Sequence, residues 1–158
     1  MAAKATPATR IAQQAGALVA LHDYSHDPRA PSYALEAAEA LGLDPGVVFK
    51  TLVCRLADGT HVVAVVPAGD RLDLKALAAA AGAKGAAMAD PRDAERLTGY
   101  VTGGISPLGQ RKRLATFLDA SAQAQETIHV SAGRRGLELE IAPRRLLELT
   151  GGTVARLT

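Results

Sequence analysis

The sequence predicts an α+β fold: one domain built on a mixed, curved β-sheet with helices around it. Three observations carry this prediction. Helix and strand signals are interspersed without strict alternation, which argues against a doubly wound α/β sheet. A hairpin signal, Ala57-Asp58-Gly59-Thr60 between two apolar-rich runs, requires an antiparallel pair, so the sheet is not purely parallel. The 158 residues contain no dividing linker and are enough to bury a real core.

The elements follow in order. Thr6 then Pro7 starts a helix: a hydroxyl caps the first N–H groups, and proline sits where no N–H is needed. That helix is expected to end near Gln14, with Gly16 as the stop. Residues 18–24 (LVALHDY) read as a strand, and 25–31 (SHDPRAP) as a polar, proline-marked loop. Ser32 caps a helix through Leu41, stopped by Gly42, and 44–46 (DPG) is a turn. Strands at 48–56 and 61–67 flank the Asp58-Gly59 hairpin. Asp73 caps a helix to Ala81, Gly82 stops it, and a short strand follows near 85–88. Over 89–99, Asp90 is the cap, Pro91 comes first inside, acidic residues lie early, Arg96 late and Gly99 beyond the end, an order that suits the helix dipole. Residues 100–114 show no clear period. Strands near 115–118, 127–130 and 137–141, a helix from Pro143 to about Leu149 and a last strand within 153–157 complete the chain.

Composition narrows the function classes. The chain is 48% hydrophobic and 22% charged, ordinary for a globular domain, and a net charge of +2 is compatible with a polyanionic partner without demanding one. The single cysteine, Cys54, excludes an internal disulfide and fits a reducing compartment. The N-terminal MAAKATPATR has no apolar leader pattern and no stretch is long and uncharged enough to span a bilayer, so a cytoplasmic location without a membrane partner is expected. The histidines His22, His26, His61 and His129 come with no HExxH pair and no compact carboxylate set; surface or capping roles are expected for them, and no metal. No nucleophile elbow is present, and Cys54, with no histidine near it in sequence, reads as a small buried hydrophobe.

Three features remain that could carry chemistry. Lys50 opens the strand face that continues with Leu52, Cys54 and Leu56, because strand side chains alternate. Either its ammonium reaches out to water from an exposed strand end, or it borders a pocket and meets a negative group there. Gly103-Gly104 lets the backbone approach a ligand closely, and successive N–H groups can form an anion-binding hollow. Alone, such a pair reads as a surface turn; followed at once by Arg111, Lys112 and Arg113, it points toward a polyanion. The segment 130–141 (VSAGRRGLELEI) reads as a hairpin whose tip presents Arg134 and Arg135, either to phosphates or to water. These features suit a polyanionic ligand and do not by themselves name a reaction.

Taken together and in this order, VFKTLV, DLKALA, MADPRDAERLTGYVTGGISPLGQRKRL, ATFLDASA and IHVSAGRRGLELEI resemble the YbaK/EbsC family. The resemblance runs from about Thr6 to Leu149 and is greatest to the branch that deacylates Cys-tRNA(Pro) and Cys-tRNA(Cys). The family is related to the editing domain inserted in bacterial prolyl-tRNA synthetases. The resemblance implies a partly barrel-like sheet and an aminoacyl-tRNA deacylase without a cofactor. Its partner would be the aminoacylated 3′ end of tRNA, in association with prolyl-tRNA synthetase. It implies that Lys50 is the lysine needed for activity, and that Gly103, Gly104, Ile105, Ser106 and Pro107 form the GxxxP loop holding the terminal adenosine and the ester. Tyr24, Tyr33, Thr51, Ser131 and Glu138 fall where the family's pocket-lining residues lie. Tyr33 stands where phenylalanine is common, which keeps an aromatic wall. Glu138 stands in place of an aspartate, so its carboxyl reaches one methylene further.

The implied reaction cleaves an already activated ester, so the protein must orient it and stabilise the developing oxyanion rather than supply a strong nucleophile. A protonated lysine cannot act as a base, which assigns Lys50 to electrostatic positioning. For a cysteinyl ester the family's proposed chemistry uses the substrate's own thiol, leaving a thiolactone. Deacylation of Ala-tRNA(Pro) or another small aminoacyl-tRNA, or binding without hydrolysis, are the alternative readings.

Overall fold

The computed structural model describes residues 5–30 and 32–158; the expected end of the polar loop at position 31, and the reading of residues 1–4, lie outside the described residues. The helices are α1 (Pro7–Gln14), α2 (Tyr33–Leu41), α3 (Leu74–Ala80), α4 (Pro91–Thr98) and α5 (Pro143–Thr150). The strands are β1 (Ala20–Asp23), β2 (Phe49–Leu56), β3 (His61–Pro67), β4 (Ala86–Met88), β5 (Ala115–Asp119), β6 (Ile128–Arg134), β7 (Leu137–Ile141) and β8 (Thr153–Ala155).

The helix ends follow from their caps. Thr6 and Thr9 close a reciprocal capping box on α1, and the side chains of Ser32, Asp73 and Asp90 accept backbone N–H groups at the starts of α2, α3 and α4. Gly42, Gly99 and Gly151 end α2, α4 and α5 in the left-handed conformation. Three strand bounds differ from expectation. β1 is shorter than 18–24, β8 is shorter than 153–157, and β6 continues past 130 to Arg134 through a register shift between Ser131 and Arg134. A 3-10 turn at Ala120–Ala124, with Asp119 as its cap, has no counterpart among the expected elements.

The strands are divided between two sheets. Five form the order β4-β2-β3-β5-β8, with β2 antiparallel to both neighbours and β5 parallel to β3 and β8. Three form the antiparallel order β1-β7-β6. A parallel bridge between Val48 and His129 joins the sheets, giving the mixed and curved architecture that was expected. The main core lies between them: Phe49, Val53, Val63 and Val65 meet Val130, Leu137, Leu139 and Ile141. On the other face of the larger sheet, Cys54, Leu56, Val62, Ala64 and Val66 pack with Leu77 of α3. The alternation along β2 thus reads directly as two buried faces.

Candidate active site

The decisive local fact is where β4 stops. β3 pairs with β2 over Phe49–Arg55, but β4 pairs only with Cys54, Leu56 and the residue between them. The Ala89 N–H still bonds the Val53 carbonyl at 3.0 Å, and the chain then turns into α4. From Phe49 to Val53, therefore, β2 has no strand partner on the side away from β3. A cavity of about 290 Å³ lies against this open edge and is lined by five consecutive residues, Phe49, Lys50, Thr51, Leu52 and Val53. The cleft wall is thus a strand edge, and both alternating faces contribute to it. The pocket expected beside Lys50 is there, with Leu52 on the same face and the expected Thr51 on the other; because β4 ends early, the cavity also takes in Phe49 and Val53.

The rest of the wall comes from elements distant in sequence. The start of α2 supplies Ser32, Tyr33 and Ala34; β4 and α4 supply Met88, Ala89, Pro91 and Ala94. The loop after α4 supplies Thr102, Gly103 and Ile105, and the smaller sheet supplies Tyr24, Ser131 and Glu138. Eight of the expected site residues therefore share one cavity: Tyr24, Tyr33, Lys50, Thr51, Gly103, Ile105, Ser131 and Glu138. Gly104, Ser106 and Pro107 do not line it. Gly104 packs so closely on the β6–β7 turn that a Cβ there would lie 2.8 Å from the Arg134 backbone. The Ser106 hydroxyl accepts the Leu108 N–H at 3.2 Å, and Pro107 lines a separate, smaller hollow beside Arg113. These three residues shape the loop from behind.

Gly103 itself requires glycine twice over. Its φ is +87°, and a Cβ would sit 2.7 Å from the Tyr33 ring. That ring is covered from outside by Arg135, whose guanidinium carbon lies 5.1 Å from the ring centroid, while Arg135 Nε donates to the Thr102 carbonyl at 2.8 Å. Glu95 accepts the Thr102 N–H at 2.8 Å. Of the basic residues left open between phosphate and water, Arg135 thus stands at the cleft mouth. The run Arg111, Lys112 and Arg113 does not line the cleft. The N–H groups of Arg111 and Lys112 bond the carbonyls of Thr98 and Leu97, so the segment closes the end of α4 instead.

Among the described residues, one amine and one carboxyl line the cavity, beside the phenols Tyr24 and Tyr33 and the aliphatic and hydroxyl side chains. Lys50 is half-buried and donates to the Ala68 carbonyl at 3.3 Å; burial lowers its pKa, and Asp70 opposes that shift. Glu138 is 6% exposed. Burial alone pushes its carboxyl up to about 8, so it is largely neutral at neutral pH with no cation beside it. Among the described residues it has no ion-pair or hydrogen-bond partner, although it lies opposite Ser131 and His22 in the strand register. Burial first, and Glu138 second, raise the Tyr24 phenol to about 12. The Thr51 hydroxyl is buried and also lacks a partner.

Beyond Glu138 on the same sheet face, His22, His129 and Glu140 bring possible ligand atoms within 4.8 Å of one another. Glu140 bonds His22 Nε2 at 3.0 Å and accepts the Thr127 hydroxyl at 2.6 Å, which ties two of the three together; His129 is buried in β6 with Nδ1 unpartnered, against the surface or capping role expected for it. His26 likewise pairs with Glu36 at 2.8 Å. The apolar contributors Phe49, Leu52, Val53, Met88 and Ala94 were not foreseen as site residues. Apolar residues in strands and helices carry the same signal whether they face a core or a cleft. Among the described residues, no helix is long and apolar enough to cross a membrane.

Residues 28–149 match the family described as the aminoacyl-tRNA editing domain. The chain is 46% identical over 121 residues, 77% of its length and 74% of the other, to "Putative Cys-tRNA(Pro)/Cys-tRNA(Cys) deacylase EbsC" of Enterococcus faecalis (strain ATCC 700802 / V583). It is 33% identical over 85 residues, about half of each chain, to "Multifunctional Ser/Thr-tRNA deacylase ProXp-y" of Escherichia coli (strain K12). Its fold superposes with a TM-score of 0.80, at 28% identity and covering 98% of both chains, on the crystal structure of "a putative trans-editing enzyme for prolyl tRNA synthetase". With the match spanning most of the sequence and the shared fold extending over nearly all of it, the chain belongs to the aminoacyl-tRNA editing domain family, the family of trans-editing aminoacyl-tRNA deacylases.

Proposed function

We propose that this protein removes a mischarged amino acid, cysteine foremost, from tRNA(Pro), acting in trans on the product of prolyl-tRNA synthetase. The observation that carries the reading is the convergence of Lys50, the Gly103 loop, Ser131 and Glu138 on one cavity of about 290 Å³. That volume is at the low end of small-molecule sites, roughly 300–1,000 Å³. It suits an aminoacyl group and part of the terminal nucleoside, with the tRNA body outside. A net charge of +2 allows few phosphate contacts there, so binding should depend only weakly on salt.

The hydroxyls on the cavity wall have no histidine beside them in the cavity to activate them. The substrate's own thiol supplies the nucleophile in this reading. Its sulfur attacks the ester carbonyl carbon, a C–S bond forms, and the bond to the ribose 3′ oxygen breaks. The thiol proton ends on that oxygen, giving free tRNA and a cyclic thiolactone that water later opens. Lys50 holds the ester end electrostatically, and the N–H groups of Gly103 and Ile105, the two loop residues on the cavity wall, face the developing oxyanion, the Gly104 N–H being bonded to the Val101 carbonyl at 2.9 Å. The relative named for Ser/Thr-tRNA favours a second reading, in which water cleaves a hydroxyl-bearing or other small aminoacyl ester such as alanine. A deacylation panel over Cys-, Ala-, Ser-, Thr- and Pro-tRNA(Pro) separates the two. Preference for Cys-tRNA(Pro), with thiolactone trapped as product, supports the first; faster release of serine or alanine overturns it.

A further inference from the structure

We infer that Glu138 is the recognition group for the substrate's free α-amine, so that the cleft selects aminoacyl over N-blocked esters. This deepens the deacylase reading and rests on the same cavity. Three observations lead to it. First, among the described residues Glu138 is the one carboxylic acid on the cavity wall and Lys50 the one amine. Second, the two form no ion pair, and the charge that opposes Lys50's burial is Asp70 rather than Glu138. The cavity wall therefore offers one carboxyl and one amine that are not paired with each other. Third, Glu138 is 6% exposed and has no hydrogen-bond partner among the described residues, although its neighbours across the strands are Ser131 and His22. A buried acid left without a partner is costly, and the cost is recovered when a cation or a donor arrives.

Every aminoacyl ester carries one such group, the α-ammonium, whatever its side chain. The ester's other polar atoms, the carbonyl and ribose oxygens, are acceptors or neutral hydroxyls and suit Lys50 and the loop N–H groups instead. The buried carboxyl is largely neutral with no cation near, and an ammonium beside it draws it to the ionised form. The amine would thus be held by a charge-assisted hydrogen bond at one end of the cleft while the acyl carbon lies toward Lys50. A peptidyl or formylated amine cannot make that bond and leaves the carboxyl unpaired. The arrangement would spare peptidyl- and formylmethionyl-tRNA.

The test reads binding separately from turnover. Non-cleavable 3′-(cysteinylamino)-3′-deoxyadenosine and its N-formyl counterpart are titrated by calorimetry into the wild type, Glu138→Gln and Glu138→Asp. Formylation is expected to weaken binding to the wild type by roughly 10- to 100-fold, the range of a lost hydrogen bond to a charged group. Glu138→Gln should lose a similar factor with the free amine and nothing further with the formylated ligand. Glu138→Asp, which keeps the charge, should retain discrimination. Equal wild-type affinity for the two ligands overturns the inference, as do losses from Glu138→Gln and formylation that multiply instead of overlapping. Amine-selective binding without turnover of any aminoacyl-tRNA leaves the inference standing and strikes only at the deacylase reading.

Discussion

The two halves of β2 make an instructive pair. Both lie in one strand and both pair with β3. Over Cys54–Leu56 the outer edge is taken by β4, and the side chains Cys54 and Leu56 are buried against Val62, Ala64 and Leu77. Over Phe49–Val53 the outer edge has no strand partner, apart from the Ala89 N–H on the Val53 carbonyl, and every residue borders the cavity. An open edge is a liability in most sheets, because it offers free N–H and C=O groups to any passing strand. Here the edge is sheltered by α2, the Gly103 loop and the smaller sheet, and the shelter is the cleft. The lesson is that a short neighbouring strand can turn one strand from scaffold into binding wall within two residues.

Substitutions should separate the halves. The largest effect is expected from Lys50→Ala. Losing the only cation that the described residues place on the wall should lower deacylation of Cys-tRNA(Pro) by about 100- to 1,000-fold, the range for removing one group that stabilises developing charge, while the thermal transition stays put. Single-turnover assays and calorimetry check both arms; near-normal turnover would remove Lys50 from the mechanism. In the paired half, Leu56→Ala should do the reverse. It should cost about 2–5 kcal/mol of stability through the cavity it leaves, with the folded fraction keeping its rate; denaturant unfolding measures this.

The wall facing the open half can be tested by pH. Glu138 rises from the ordinary 4.5 to about 8 on folding, so between those values the folded protein holds a proton that the unfolded chain releases. Its contribution to stability is therefore greatest at acid pH, declines as pH rises toward about 8, and levels off above. The slope is at most about 1.4 kcal/mol per pH unit. Glu138→Gln should flatten that decline in urea titrations at pH 5, 6, 7 and 8, and an unchanged slope would show the carboxyl to be ionised already. The smallest effect is expected from Thr51→Val. Removing a buried hydroxyl that has no partner should stabilise the protein by about 1 kcal/mol and weaken substrate binding several-fold. A loss of stability would mean that the hydroxyl is satisfied in solution.

The helices were legible because their signals are local. The caps Thr6, Ser32, Asp73 and Asp90 and the stops Gly42 and Gly99 sit within a turn of what they control. The hairpin at Asp58-Gly59 was legible for the same reason. The extension of β6 to Arg134 was not, because it depends on a register shift against β7. At the site, eight residues carried over from the family likeness meet at the cavity, while Ser106 and Pro107 stand behind it. The place of the basic run 111–113 was not legible: its backbone closes the end of α4 and its side chains are exposed away from the cavity lining, and a cluster of charges reads the same in either position.

By itself the sequence determined most of the segments, the alternation that puts Lys50, Leu52, Cys54 and Leu56 on one face of β2, and the family, since each depends on residues near one another in the chain or on their order. Only the tertiary structure decided that β4 ends at Met88, that Arg135 covers Tyr33, and that Glu138 faces the cleft without a partner. Those outcomes depend on how closely distant segments approach and on which polar groups burial leaves unpaired. No local pattern of residues encodes either.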